Sequence, residues 1–136
     1  MRLLLDTHIL IWLAEGHKKL PVKSRQRIDR VAADQGLAVC AISFWEAAML
    51  CSKGRISLAH PIAEWRRAVL AAPGIIEIPV LGDIGIEAVN LPPGLHEDPA
   101  DRLLVATARI HNLVLGTRDH RLLEYAQIGH VAAERL

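Results

Sequence analysis

Leu3-Leu4-Leu5-Asp6-Thr7-His8-Ile9-Leu10-Ile11-Trp12, the stretch that follows Met1 and Arg2, decides the fold class. Three leucines bounded by an acid are too short for a helix and too uniformly apolar for a strand with one wet face. They read as a strand covered on both sides, the kind found in parallel sheets. From Thr7 to Glu15 the chain then reads as a helix, so a strand passes into a helix through a single aspartate.

The same alternation recurs downstream. Leu37-Ala38-Val39-Cys40-Ala41-Ile42, Ile75-Ile76-Glu77-Ile78 and Leu113-Val114-Leu115 are further short apolar strand candidates. Helical stretches are expected over Pro21 to Gln35, Ser43 to Ser52, His60 to Ala72, Asp83 to Asn90, Asp98 to His111 and from about Asp119 to Ala126. Gly16, Gly36, Gly54, Gly74 and Gly116 stand where these segments end, and Asn90-Leu91-Pro92-Pro93-Gly94 reads as a loop. Short apolar strands alternating with helices predict an α/β chain with a central parallel sheet, organised as one domain over residues 1–136.

The chain has 136 residues, 51% of them apolar, and 16 lysines and arginines against 15 acids, for a net charge of +1. That balance excludes a protein that coats nucleic acid by counterion release alone, and leaves room for a small local site. Cys40 and Cys51 lie in apolar surroundings without a CxxC pattern and read as free thiols. No apolar run approaches the roughly 18 residues that span a bilayer, so the protein is read as soluble and cytoplasmic, with no membrane partner.

The carboxylates supply the functional argument. Asp6 follows the first strand, Glu46 lies one turn into the helix after the second, Asp98 and Asp101 open the helix DPADRLLVATARIHN, and Asp119 follows the fourth strand. In a parallel sheet all of these junctions fall on the edge where ligands bind. Each acid also has a local reading. Ser43-Phe44-Trp45-Glu46 fits a capping box, Asp98-Pro99-Ala100-Asp101 fits an N-cap with proline at the first helical position, and Asp119 suits the positive end of a helix. Recurrence at successive βα junctions goes beyond what capping requires. Acids gathered in a cleft repel one another unless some hold protons or a divalent cation neutralises them. An oxygen-only set, with no HxxxH pair among the seven histidines, points to Mg²⁺ or Mn²⁺ rather than Zn²⁺. Such a centre suits phosphodiester hydrolysis by metal-activated water.

The segments Leu4 to Trp12, Ser43 to Glu46, His96 to Ala108 and Thr117-Arg118-Asp119 together resemble the PIN-domain nucleases. The likeness is nearest to VapC-type toxins of bacterial toxin–antitoxin pairs whose chains open LLDTHxxxW, and it runs from Asp6 to the end in the family's order. The resemblance implies a three-layer α/β/α sandwich, metal-dependent endoribonuclease activity, a homodimer and a small cognate VapB-type antitoxin. Carried over by position, Asp6, Glu46, Asp101 and Asp119 match the acidic quartet. Asp98 matches an additional acid of the DPxDR form, and Thr7 and Thr117 match hydroxyl positions beside the acids. The fourth segment departs from the family pattern at Arg118 and at His120-Arg121-Leu122.

Arg102, Arg118 and Arg121 lie beside the acids, either as phosphate contacts or as salt-bridge partners of the carboxylates. Trp12, Trp45 and Trp65 read as core or interface anchors, and Arg25 to Arg30 as a solvated helical face. Two rival functions are a catalytically silent PIN-like module that binds a partner and a Mg²⁺-binding phosphoacceptor switch. The switch wants a lysine after a late strand, whereas the last lysine is Lys53.

Overall fold

A computed structural model describes residues 2–136. The elements in chain order are β1 (Leu3–Leu5), α1 (Thr7–Glu15), α2 (Val22–Asp34), β2 (Leu37–Cys40), α3 (Ala41–Ser52), α4 (Ile62–Ala71), β3 (Ile75–Ile78), α5 (Gly82–Val89), α6 (Pro99–Ile110), β4 (Val114–Thr117), α7 (His120–Gln127) and β5 (Ala133–Arg135). The strands form one sheet in the order β3-β2-β1-β4-β5, with every pairing parallel. The α/β architecture expected from the alternating apolar runs is therefore present.

Strand alternation divides the interior into two cores. Leu3 and Leu5 of β1, with Leu37 and Val39 of β2, face Ile9, Leu10, Ile28, Phe44 and Trp65 on the helices α1 to α4. Leu4, Ala38 and Cys40 face the opposite way, onto Ile84, Leu104, Ala108, Leu122 and Tyr125 of α5, α6 and α7. Because successive side chains of a strand point to opposite faces, burial on both faces requires the unbroken apolar runs seen in the sequence. The result is the expected three-layer α/β/α sandwich.

Several boundaries differ from the sequence reading. The second strand stops at Cys40 because its ladders run out: β1 ends at the Leu5–Val39 pair and β3 at the Ile78–Cys40 pair. Ala41 and Ile42 consequently begin α3, and Ser43 lies inside the helix rather than at its start. The fourth strand begins at Val114, since the Leu113 amide is taken by the Ala108 carbonyl at the end of α6. Gly116 does not end a segment. It sits in β4, where a Cβ would stand 2.6 Å from Leu136 Cδ1. The edge strand β5 was not expected, and two of its three residues are charged.

The Arg25 to Arg30 face is less solvated than expected. Arg25 donates to the carbonyls of His17 (2.7 Å), Trp12 (3.3 Å) and Leu13 (3.5 Å), closing the carboxyl end of α1. Arg27 makes a two-pronged ion pair with Glu134 of β5, and Ile28 is buried. Both cysteines are free, as expected. Of the tryptophans, Trp65 is a core residue and Trp45 is 54% exposed.

The turn from α4 into β3 depends on Gly74. Its φ is +81°, and a Cβ there would lie 2.5 Å from the Ala32 carbonyl oxygen, while its own carbonyl accepts from the Leu37 amide at 2.6 Å. Left-handed backbone costs an L-residue about 1–2 kcal/mol before any collision is counted. Gly74→Ala is therefore expected to lower the unfolding free energy by at least that much in urea titration. A stability equal to wild type would mean that this turn is not held as described.

Candidate active site

The sheet order reverses direction at β1. One connection leads from β1 to β2 on one side, and β4 pairs on the other, so a crevice opens between the carboxyl ends of β1 and β4. This switch point is where an open parallel sheet presents loops and helix N-termini to a ligand.

Asp6 stands at its centre. It is 6% exposed, its amide donates to the Gly116 carbonyl at 2.9 Å, and its Oδ2 accepts from the Thr117 hydroxyl at 2.7 Å. Although Asp6 precedes α1, its side chain does not cap that helix. The same Thr117 hydroxyl accepts from the Asp119 amide at 2.9 Å, so one threonine fixes both the central acid and the turn into α7.

Glu46 approaches from the second turn of α3. The capping box expected with Ser43 does not form: Ser43 is fully buried and its hydroxyl pairs with Thr7 at 2.8 Å. Freed of a capping role, Glu46 is half-buried, and its Oε1 is enclosed without a hydrogen-bond partner. Asp101, 8% exposed, comes from the first turn of α6, and its Oδ2 meets His96 Nε2 at 2.7 Å. Two of the acids do cap helices. Asp98 is exposed and accepts from the Asp101 amide at 3.0 Å, while Asp119 accepts from the Arg121 amide at 2.8 Å through Oδ1. Asp119 Oδ2 faces Arg121 Nη2 at 3.4 Å.

The electrostatics follow from burial of like charges. Burial raises the Asp6 carboxyl to about 6, with the Thr117 hydrogen bond opposing and the charges of Asp101 and Glu46 reinforcing the rise. Glu46 is raised by burial and by Asp101, with the Thr7 hydroxyl offsetting part of the effect. Asp101 is raised by burial, lowered by His96, and raised again by Asp98 and Asp119. For Asp119, burial also acts upward, but the Arg121 amide and guanidinium outweigh it and hold the group below the usual range.

The expected acids thus come within electrostatic reach of one another around the switch point. Among the described residues, no three His, Cys, Asp or Glu side chains form a finished cage. Their chemistry nevertheless fits a hard divalent cation: oxygen donors only, an unpartnered Glu46 Oε1, and carboxyls whose proton affinity is raised by burial and by one another's charge. Arg102, read as either a phosphate contact or a salt-bridge partner of the acids, turns to backbone carbonyls in the fold. Its guanidinium is spent on the carbonyls of Ala88 (2.9 Å) and Leu95 (3.2 Å), pinning α5 and the following loop to α6. His96 was missed, and its position five residues before Asp101 was the available signal.

A family model described as PIN domain matches residues 3–128. Ribonuclease VapC22 of Mycobacterium tuberculosis is 38% identical over 119 residues, covering 88% of this chain and 88% of that protein. Among solved structures, a toxin–antitoxin complex from Klebsiella pneumoniae is 26% identical with a TM-score of 0.64, covering 95% of this chain and 94% of that one. VapBC2 from Rickettsia felis, bound to a DNA fragment from its promoter, is similar in fold, with a TM-score of 0.74 at 18% identity, covering 99% and 98%.

A carboxyl raised on folding binds its proton more tightly in the native state, so its stabilising effect is complete below pH 4 and is lost as pH rises through about 6. Asp6→Asn removes this penalty. In EDTA at pH 7 the variant is expected to be more stable than wild type by up to about 3 kcal/mol, with the difference vanishing toward pH 4. Chemical denaturation across that range measures it. A difference that does not change with pH would contradict the raised carboxyl.

Proposed function

The chain belongs to the PIN-domain family, and from that premise we propose that it is a metal-dependent endoribonuclease, the toxin of a VapBC-type pair, with residues 1–136 acting as one nuclease domain. The observation that carries this reading is the burial of Asp6, Glu46 and Asp101 within electrostatic reach of one another at the switch point, with Glu46 Oε1 left unpartnered. A silent partner-binding module gives no reason to bury mutually repelling acids beside an unfilled acceptor, and the phosphoacceptor switch lacks its late lysine.

In this reading Asp6, Asp101 and Glu46 would hold Mg²⁺ or Mn²⁺, joined by Asp119 at the start of α7. When bound, the cation supplies Lewis acidity, lowering the pKa of water and polarising the phosphoryl oxygen. Thr117 keeps Asp6 Oδ2 turned into the crevice, and His96 does the same for Asp101 Oδ2. Thr7 and Ser43 lock α3 against α1, which fixes the reach of Glu46. Glu46 Oε1, enclosed without a hydrogen-bond partner, would be placed to hold the cation or orient the water that attacks. Asp98 serves by holding the first turn of α6 rather than by touching substrate. The N-termini of α1, α6 and α7 open toward the same edge and favour the phosphate backbone of RNA.

The proposed partners have surfaces of the appropriate chemistry. A groove of about 520 Å³ between α1, α2 and α4 is lined by Leu10, Leu13, Ile28, Trp65, Ala68 and Val69, and the buried Trp65 Nε1 there lacks an acceptor. That suits an apolar segment of a VapB-type antitoxin. Exposed Trp45, Leu81, Ile86 and Val89 supply apolar surface for a homodimer, which sedimentation would report as twice the 15.0 kDa chain mass. No described helix is long and apolar enough to cross a membrane, consistent with the cytoplasmic location we propose.

Purified protein with Mg²⁺ or Mn²⁺ is expected to cut single-stranded RNA, and Asp6→Asn or Asp101→Asn to reduce the rate by at least about a hundredfold. RNA left intact by wild type, or cleavage that survives EDTA or Asp6→Asn, would overturn the proposal. Ala68→Arg blocks the groove away from the acids. It is expected to retain RNA cleavage and lose co-purification with the co-expressed antitoxin, and a complex that persists would place the antitoxin elsewhere.

A further inference from the structure

Three arginines neighbour the acids in sequence, and the fold commits two of them. Arg102 is spent on the carbonyls of Ala88 and Leu95, and Arg118 Nη1 donates to the Leu136 carbonyl at 2.6 Å. Arg121 is different. It leaves the first turn of α7 with its side chain 58% exposed, and it reaches Asp119 Oδ2 at 3.4 Å and Asp101 Oδ2 at 3.9 Å.

Both contacts are long and both use the same nitrogen, Nη2. Neither Nε nor Nη1 is engaged in these two pairs, so two of the three guanidinium nitrogens stay uncommitted to the acids at the rim of the crevice. Such a group holds its carboxylates weakly, because exposure screens the attraction and the geometry is not bidentate. Once Nη2 lets go of the acids, a two-pronged edge of the guanidinium matches the two non-bridging oxygens of a phosphodiester, and contacts this long do not prevent that release.

We propose that Arg121 is a transferable counter-ion: it bridges Asp101 and Asp119 in the metal-free site and turns to the substrate phosphodiester once a divalent cation neutralises those acids. The substrate half rests on the ribonuclease reading, and the counter-ion half does not. Positive charges competing for the same carboxylates are linked, so weakening one strengthens the other. The cation and Arg121 are then used in succession rather than together on the acids.

The test compares wild type, Arg121→Ala and Arg121→Lys. In MnCl₂ calorimetry without RNA, Arg121→Ala is expected to bind Mn²⁺ several-fold more tightly, and Arg121→Lys to stay near wild type. In cleavage of a single-stranded oligoribonucleotide, Arg121→Ala is expected to raise KM about tenfold with little change in kcat, and to flatten the salt dependence by about one phosphate contact. Arg121→Lys should restore the salt dependence but only part of KM, lacking the fork. Mn²⁺ affinity unchanged or weakened in Arg121→Ala overturns the counter-ion role, and an unchanged KM and salt dependence overturns the phosphate role. If wild type cuts no RNA, the ribonuclease reading and with it the phosphate role fail, while the Mn²⁺ comparison still decides the counter-ion.

Discussion

A 2.7 Å hydrogen bond from Thr117 to Asp6 joins the ends of two central strands, and the site is organised around it. It sits where β1 and β4 lie side by side but lead their helices away in opposite directions. A carboxylate there is buried by the sheet, approached by helix N-termini, and kept from turning back to cap its own helix. Most of the remaining acids gain their significance from where they stand relative to this pair. Asp101 and Glu46 raise its proton affinity, and Asp119 shares the same threonine.

The cost of such an arrangement is electrostatic and is met unevenly. Asp98 and Asp119 are hydrogen-bonded into helix starts, so their charge is stabilised by backbone amides. Asp6 and Glu46 receive less help, and burial leaves both with a high affinity for protons or for a cation. A net charge of +1 over the whole chain therefore conceals a strongly anionic interior edge. Capping and ligand-holding are not rival explanations across the set, because different acids, and in Asp119 different oxygens, do each.

The parts legible in the sequence are those enforced by local rules. Leu3-Leu4-Leu5 announced a strand covered on both faces, and its following acid marked the ligand edge because strand ends in parallel sheets leave no other choice. The proline after Asp98 located the start of α6 to within a residue. What escaped depends on contacts between distant segments. Ser43 carries a helix-start signature, yet its hydroxyl is claimed by Thr7 on the neighbouring helix α1. Arg102 looks like a phosphate ligand beside Asp101 until α5 presents it with carbonyls. β5 is two-thirds charged, and only its pairing with β4 makes it a strand. His96 has only its nearness to Asp101 as a signal, and its role is defined by the oxygen it meets.

The pairing of β1 with β4 also has a consequence in time. The two strands are separated by most of the chain, with Asp6 and Thr117 standing 111 positions apart. Everything before β4, including three of the four acids in the quartet, leaves the ribosome while Asp6 still has an open flank and no threonine. Long-range parallel pairing is also slow to form compared with local helices. A growing chain thus carries these acidic residues unassembled until Thr117 has emerged and docked beside Asp6, 111 positions later.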